Sequence, residues 1–435
     1  MNPKIIVLDD DPTGSQTVHS CLLLTRWDVP TLKAALADAA PLFFVLTNTR
    51  GMDATRAASV TREVCINLKQ ALADYHGPVL FVSRSDSTLR GHYPVETDVM
   101  ARELGPFDAT LLTPAFFEGG RITRDGTHYL MVDGQPVPTH ETEFARDSVF
   151  GYSTSFLPDY VAEKTGGRVP ARDVGVLSLA ALRAGGADAW LAGLAGNAIG
   201  AIDGETPADY VRFADAVLKA AATGRRLLFR SAASLLTALA KLPPQPVPAA
   251  DFAKLVRDGR PGAVVVGSHV AKTTAQLAEL LKQPGTVGLP LDVSRLPDAR
   301  AAVASALVAS VAHAHAQGLT PVVYTSRSER QFASTAERLA FGETVSATLM
   351  DVVRALPATL GFLVSKGGIT SNDVLSSGLA LTASRVLGQI LPGVTVVQTP
   401  VDHRLPQMPV VIFPGNVGGH DALAEAYRRL AAASR

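Results

Sequence analysis

The chain has 435 residues, with 40 lysines and arginines against 40 aspartates and glutamates, so its formal charge is zero. Nucleic acid and anionic membranes both call for a basic surface; neither is expected as a partner, and no apolar run approaches the length of a membrane span. Cys21 and Cys65 stand outside any CxxC or CxxH spacing and Ile5 already opens a strand, so we expect neither a structural disulfide nor a signal peptide, and a cytoplasmic protein.

Length alone favours two domains. Short Val/Ile/Leu/Phe runs alternate with longer Ala-rich stretches of helical period, the pattern of βα units. In chain order the predicted strands of the first half are Ile5–Leu8, Phe43–Leu46, Val79–Val82, Ala109–Leu112, Val174–Leu177 and Leu227–Phe229, with helices at Thr55–Tyr75, Val95–Leu104 and Pro207–Ala222. Between Gly119 and Tyr152 the alternation breaks. Asp125-Gly126 and Asp133-Gly134 separate short β-prone pieces and predict hairpins. Such an insertion could be a lid, the contact of a homodimer, or an ordered surface excursion.

Prolines at 243, 244, 246 and 248 rule out helix or central strand and predict a linker over residues 243–262. After it the pattern restarts with strand Ala263–Val266, helix Ala271–Leu281, strand Val287–Leu289 and helix Ala299–Gln317. Strand Val322–Thr325, helix Thr335–Leu356, strand Gly361–Val364 and helix Val374–Gln389 follow. Strands Val394–Gln398 and Val410–Phe413 precede a last helix, His420–Ala432. The expectation is an α/β protein of two domains, 1–242 and 263–435, each a largely parallel sheet flanked by helices, with a β-rich insertion in the first.

Polar clusters follow three strands of the first half: Asp9-Asp10-Asp11-Pro12-Thr13-Gly14, Thr47-Asn48-Thr49-Arg50-Gly51, and Ser83 through His92 with Arg84, Ser85, Asp86 and Arg90. Three adjacent carboxylates repel one another and have no folding rationale. If the strands are neighbours, the clusters converge where open α/β sheets bind ligands. Arginines that pair with a carboxylate and acids that grip hydroxyls suit a small polyhydroxy acid; helix capping is the plainer explanation for each cluster alone. In the second half, glycine-rich turns follow strands at Gly267-Ser268-His269, Lys366-Gly367-Gly368-Ile369-Thr370 and Pro414-Gly415-Asn416-Val417-Gly418. Such turns let backbone approach an anion closely, and three in one domain resemble a phosphate cradle. No GxxxxGK[ST], strand-linked GxGxxG, HExxH or GxSxG occurs.

With these motifs in order, the chain resembles the four-carbon acid sugar kinase family over nearly its whole length. The DDxTG loop is read as Asp10-Asp11-Pro12-Thr13-Gly14, or equally from Asp9-Asp10 with one residue of slack, NTR as Asn48-Thr49-Arg50, and the K-x-DSTLRG motif as Arg84 through Gly91 with Arg84 in place of Lys. PAF…GR…G is Pro114-Ala115-Phe116, Gly120-Arg121 and Gly126. The second-domain turns match GS, GG-x-T and PGN-x-G. The resemblance implies an ATP- and Mg²⁺-dependent kinase acting on a sugar acid such as threonate, erythronate, 3-oxo-tetronate or 3-oxo-isoapionate. It puts substrate contacts on Asp9, Asp10, Arg50, Arg84, Ser85, Asp86 and Arg90, with Asp10 as base or hydroxyl orienter and Arg90 beside it in catalysis. Nucleotide contacts fall on Ser268, Gly367, Gly368, Ile369, Thr370, Gly415 and Asn416; no protein metal ligand is assigned. Two other readings stay open. Asp9-Asp10-Asp11-Pro12-Thr13 also fits the DxDxT of a haloacid-dehalogenase-like phosphatase, with Asp9 as nucleophile and Asp11 as general acid. The third reading is a non-catalytic effector or ligand-binding protein.

Overall fold

The computed structural model describes residues 2–327, 332 and 334–431. They form two compact units, Met1–Pro243 and Pro244–Arg435. The strands of the first are β1 (Lys4–Asp9), β2 (Leu22–Leu24), β3 (Leu42–Leu46), β4 (Val79–Arg84), β5 (Ala109–Thr113), β6 (Arg121–Arg124), β7 (Thr127–Val132), β8 (Gln135–Pro138), β9 (Gly175–Leu177), β10 (Ala198–Ile202) and β11 (Leu227–Ser231). All but β6–β8 join one parallel sheet in the order β2-β3-β1-β4-β11-β5-β10-β9. Ile5 to Leu8 are buried without alternation, as a strand covered on both faces must be. Helix Ala54–Ala71 shows why: it is capped by Asp53 and turns Ala57, Val64, Cys65 and Leu68 inward.

Strand order makes the first site. From β1 the chain builds β2 and β3 on one side, and from β4 onward it builds on the other, so the crevice opens between the carboxyl ends of β1 and β4. Those ends are level: Asp9 pairs with Leu46 and Arg84, Arg84 with Ser231, and Ser231 with Thr113. The insertion is a three-stranded antiparallel sheet, β6-β7-β8. Both of its turns are Asp-Gly pairs at positive φ, 51° and 72° then 50° and 78°, as a two-residue hairpin turn of matching twist requires.

The second unit contains β12 (Ala263–Val266), β13 (Thr286–Leu291), β14 (Thr320–Thr325), β15 (Leu363–Lys366), β16 (Ala383–Leu391), β17 (Val394–Gln398) and β18 (Pro409–Phe413), in the order β13-β14-β12-β15-β18-β17-β16. The five strands from β13 to β18 in that order are parallel; β17 runs antiparallel to β18, and β16 antiparallel to β17. The first four sheet strands of each unit are laid out alike, second-third-first-fourth. Both units therefore have a switch point beside their first strand.

Two expectations change. Val374–Gln389 is not a helix: a short helix Gly368–Asp373 runs into a π-turn, Val374–Gly378, and then β16. In β16 Ser384, Val386, Gly388 and Ile390 point inward in strict alternation, and Pro392-Gly393 turns the chain into β17. A period of two beats the helical reading. Residues 244–262 also pack against the second unit: Phe252 and Val256 sit in its core, and Gln245 accepts from the Gln389 backbone N–H at 2.7 Å. The last helix is Ala422–Ala431; Ala432, its expected end, lies outside the described residues. Strands β2 and β10 and helices Val29–Ala37, Leu157–Lys164, Leu179–Arg183, Ala187–Gly193 and Ala233–Ala240 were not anticipated.

Candidate active site

The three polar clusters of the first unit do converge, and they form two tiers. In the buried tier lie Asp9, Asp10, Arg84 and Ser85. Arg50 donates to both Asp10 oxygens, Nη2 to Oδ1 at 2.5 Å and Nε to Oδ2 at 3.1 Å, and Ser85 Oγ donates to Oδ2 at 2.5 Å. Such a fork fixes a carboxylate in both position and plane. The upper tier, partly exposed, is Arg50, Asp11, Asp86 and Arg90. Arg50 Nη1 lies 3.8 Å from both Asp11 Oδ2 and Asp86 Oδ1, and Arg90 Nε donates to Asp86 Oδ2 at 2.9 Å. Burial works against ionising Asp86, yet Arg50, Arg90 and the Thr88 hydroxyl together hold its carboxyl well below the usual range. Asp86 stays an acceptor.

Asp9 is placed differently from its neighbours. Neither of its carboxylate oxygens makes a hydrogen bond, and neither does Arg84 Nε, although Arg84 Nη1 is 3.7 Å from Asp9 Oδ1. Gly14 closes over it; a methyl group there would collide with the Asp9 carboxylate. Burial pushes the Asp9 carboxyl well above its ordinary value, more than Arg84 pulls it down. A nucleophile must be reachable by an incoming phosphorus. Asp9 is sealed, and the phosphatase reading loses its nucleophile.

Two further residues reach this site without a signal in the sequence. Glu96, from the helix Val95–Leu104, accepts from Thr49 Oγ1 at 2.5 Å while its other oxygen makes no hydrogen bond. Burial first, then the Asp10 charge, push its carboxyl up to about 7. Arg230, at the end of β11, donates through Nη2 to the Arg90 carbonyl at 2.9 Å. Glu96 lies just past the third cluster, in the first turn of the next helix, and Arg230 comes from a strand far along the chain, so neither stands in a motif of the site.

In the second unit β12, β14, β15 and β18 end level, with Val266 beside Tyr324 and Lys366, and Lys366 beside Phe413. The three glycine turns therefore meet. Gly367 adopts φ 114°, and a Cβ there would stand 3.1 Å from the Ser268 Cβ. Thr273 Oγ1 donates to Ser268 Oγ at 3.2 Å and lies 3.3 Å from the Gly415 carbonyl. Thr370 is buried beneath Gly267, Ile369 is 68% exposed at the rim, and Lys272 Nζ donates to the Asn416 carbonyl at 3.2 Å. Lys366 was read only as the residue before the glycines. It is fully buried, its Nζ donates to the Pro414 carbonyl at 2.5 Å and the Gly415 carbonyl at 3.2 Å, and it lies 4.3 Å from the centroid of the Phe413 ring. Burial, with Lys272 nearby, lowers its ammonium to about 7. A lysine directly before Gly-Gly at a strand end was the available signal.

Fold and sites define a two-unit α/β protein with a polar acid-and-arginine site in one unit and a glycine-turn site in the other. A family model described as a sugar-binding N-terminal domain matches residues 5–239, more than half of the chain, and one described as a nucleotide-binding C-terminal domain matches residues 263–423. The chain belongs to the four-carbon acid sugar kinase family. It is 30% identical over 167 residues to a D-erythronate kinase of Heliobacterium modesticaldum, covering 37% of this chain and 36% of that protein. It is 32% identical over 164 residues to a D-threonate kinase of Bordetella bronchiseptica, covering 36% of this chain and 38% of that one. The match thus spans well under half of each curated relative. A solved structure from Salmonella typhimurium LT2 shares the fold with a TM-score of 0.68 at 20% identity, over 98% of both chains.

Proposed function

We propose that the protein is an ATP-dependent kinase that phosphorylates a terminal hydroxyl of a small sugar acid, of the threonate, erythronate, 3-oxo-tetronate or 3-oxo-isoapionate kind. The observation that carries this reading is the two-tier cluster at the β1–β4 crevice. It offers Arg50 and Arg90 to an anion beside Asp86 and Asp11, acceptors for hydroxyls. A carboxylate with adjacent hydroxyls meets both needs at once. The family's two domain descriptions and the kinase names of the relatives support the same assignment.

In this reading Arg50 and Arg90 grip the acid's carboxylate and Asp86 accepts from a hydroxyl. Asp10, being buried, acts one step behind by orienting Arg50 and Ser85, and Arg84 with Asp9 supports it from below. Phosphoryl transfer asks little covalent help of a protein; positioning and charge neutralisation supply most of the rate. The turns at Ser268, Gly367–Thr370 and Gly415–Asn416 would hold the nucleotide phosphates, with Lys366 setting the third turn from behind. Mg²⁺, when bound with ATP, would neutralise phosphate charge and is commonly held by the phosphates and one or two carboxylates.

A coupled assay for ADP release, run with a panel of four- and five-carbon sugar acids, tests the proposal. Acid-dependent release by one or more of them is expected. ATP hydrolysis indifferent to every acid, or no turnover at all, would sink it.

A further inference from the structure

The loop from Ser85 to Gly91 is held in an unusual way. Four consecutive backbone carbonyls each accept from a different side chain. Ser87 O accepts from His128 Nε2 at 2.8 Å, Thr88 O from Tyr152 Oη at 2.7 Å, Leu89 O from Tyr160 Oη at 2.8 Å, and Arg90 O from Arg230 Nη2 at 2.9 Å. Ser85, Ser87, Thr88 and Leu89 are buried, so these carbonyls must be met by protein groups and not by water. Leu89 sits at φ 67°, a conformation that costs a side-chain-bearing residue energy unless its surroundings impose it. The surroundings here are Tyr93, Tyr152 and Tyr160, buried with Leu89 in one cluster.

Two of those four donors, His128 on β7 and Tyr152, belong to the β-rich insertion. So do the groups around the Arg90 guanidinium: it lies 4.9 Å from the centroid of the Phe144 ring, and its Nη1 is 3.6 Å from Asp147 Oδ2. The Ser87 carbonyl can only accept, so Nε2 is the protonated nitrogen facing it, and Nδ1, 3.0 Å from Thr123 Oγ1, is left to accept from that hydroxyl. Burial lowers this imidazole to about 4, so it keeps that neutral form at working pH.

We propose that the Gly119–Tyr152 insertion is a positioning frame for the Ser85–Gly91 loop, and that His128 and Tyr152 are positioning residues that set the affinity for the acid. The inference rests on the kinase reading for the identity of the ligand, and on the hydrogen bonds alone for the frame. A lid would have to release the loop; this insertion is bonded to it.

The test uses the full-length protein, with D-erythronate as the first probe acid and whichever panel acid is turned over best as the second. Tyr152→Phe and His128→Met each remove one donor. Each is expected to raise the KM for the acid about tenfold, the worth of one lost hydrogen bond of good geometry, with the KM for ATP unchanged. Amide hydrogen exchange over residues 86–90 should speed up in both. His128→Gln, which can still donate to Ser87 O, should recover most of the affinity. Tyr427→Phe removes a comparable tyrosine–carbonyl bond, 3.1 Å to Pro284 O in the other unit, and should leave the acid KM alone. Folded variants with unchanged acid KM and unchanged loop exchange would overturn the frame. Faster loop exchange in a protein that turns over no acid would keep the frame and overturn the kinase reading.

Discussion

At the scale of single residues, the sites depend on charged groups placed where charge is expensive. Glu96 is the clearest case. Folded, its carboxyl titrates at about 7, because burial and the Asp10 charge oppose ionisation; unfolded, it returns to the ordinary glutamate range. The native state then holds a proton that the unfolded chain releases, so the stability this group contributes is full below the unfolded value and lost as pH rises through about 7. Glu96→Gln should match the wild type in urea melts near pH 4 and exceed it at pH 8, by up to about 3 kcal/mol. Lys366 runs the other way. Its ammonium is lowered to about 7, so the cost of burying the charge is fully present at acid pH and is relieved as pH rises towards the unfolded lysine value. Wild-type stability relative to Lys366→Met should therefore climb between pH 7 and pH 10, and a flat difference across that range would contradict the burial argument.

At the scale of elements, function lives in the turns that leave parallel strands. Gly14 is there because the Asp9 carboxylate occupies the space a side chain would need. Gly14→Ala should destabilise the first unit by about 1–3 kcal/mol, the usual cost of overpacking, and should weaken acid binding as Asp9 is driven against Arg84. Thermal melts and acid titration of the same variant check both halves. The elements themselves were legible in different degrees. The Asp125-Gly126 and Asp133-Gly134 turns announced the hairpins of the insertion, since only a few residue pairs tolerate two successive positive φ values. Strand β16 was misread because Val374 to Gln389 is rich in Leu, Ser and Ala and carries no breaker except glycine. Its alternation became decisive only where β17 pairs with it.

At the scale of the whole molecule, the division into two units predicts that the two ligands can be lost separately. Arg50→Ala removes a bidentate partner and leaves Asp10 buried without its counter-ion, so acid affinity should fall by about a hundredfold or more. ADP affinity, measured by calorimetry on the same protein, should not change. Gly367→Ala forces a side chain onto φ 114° and towards Ser268. That strain, about 1–3 kcal/mol, should weaken ADP binding and spare the acid. Loss of both affinities in either variant would contradict the assignment of one ligand to each unit.

The first apolar run into three aspartates, the three polar clusters and the three glycine turns could all be read from the chain. They are local: a strand, its ending and its turn occupy a few consecutive residues, and turn chemistry has narrow rules. Only the tertiary structure decided which aspartate does what. Asp9, Asp10 and Asp11 are chemically identical in sequence, yet one is sealed under Gly14, one is forked by Arg50 and one faces outward. Burial and counter-charge separate them, and the counter-charges come from Arg50 and Arg84, which lie 40 positions away and more. The same holds for Glu96, Arg230 and the insertion's grip on the substrate loop, which are made by strand order and not by spacing along the chain.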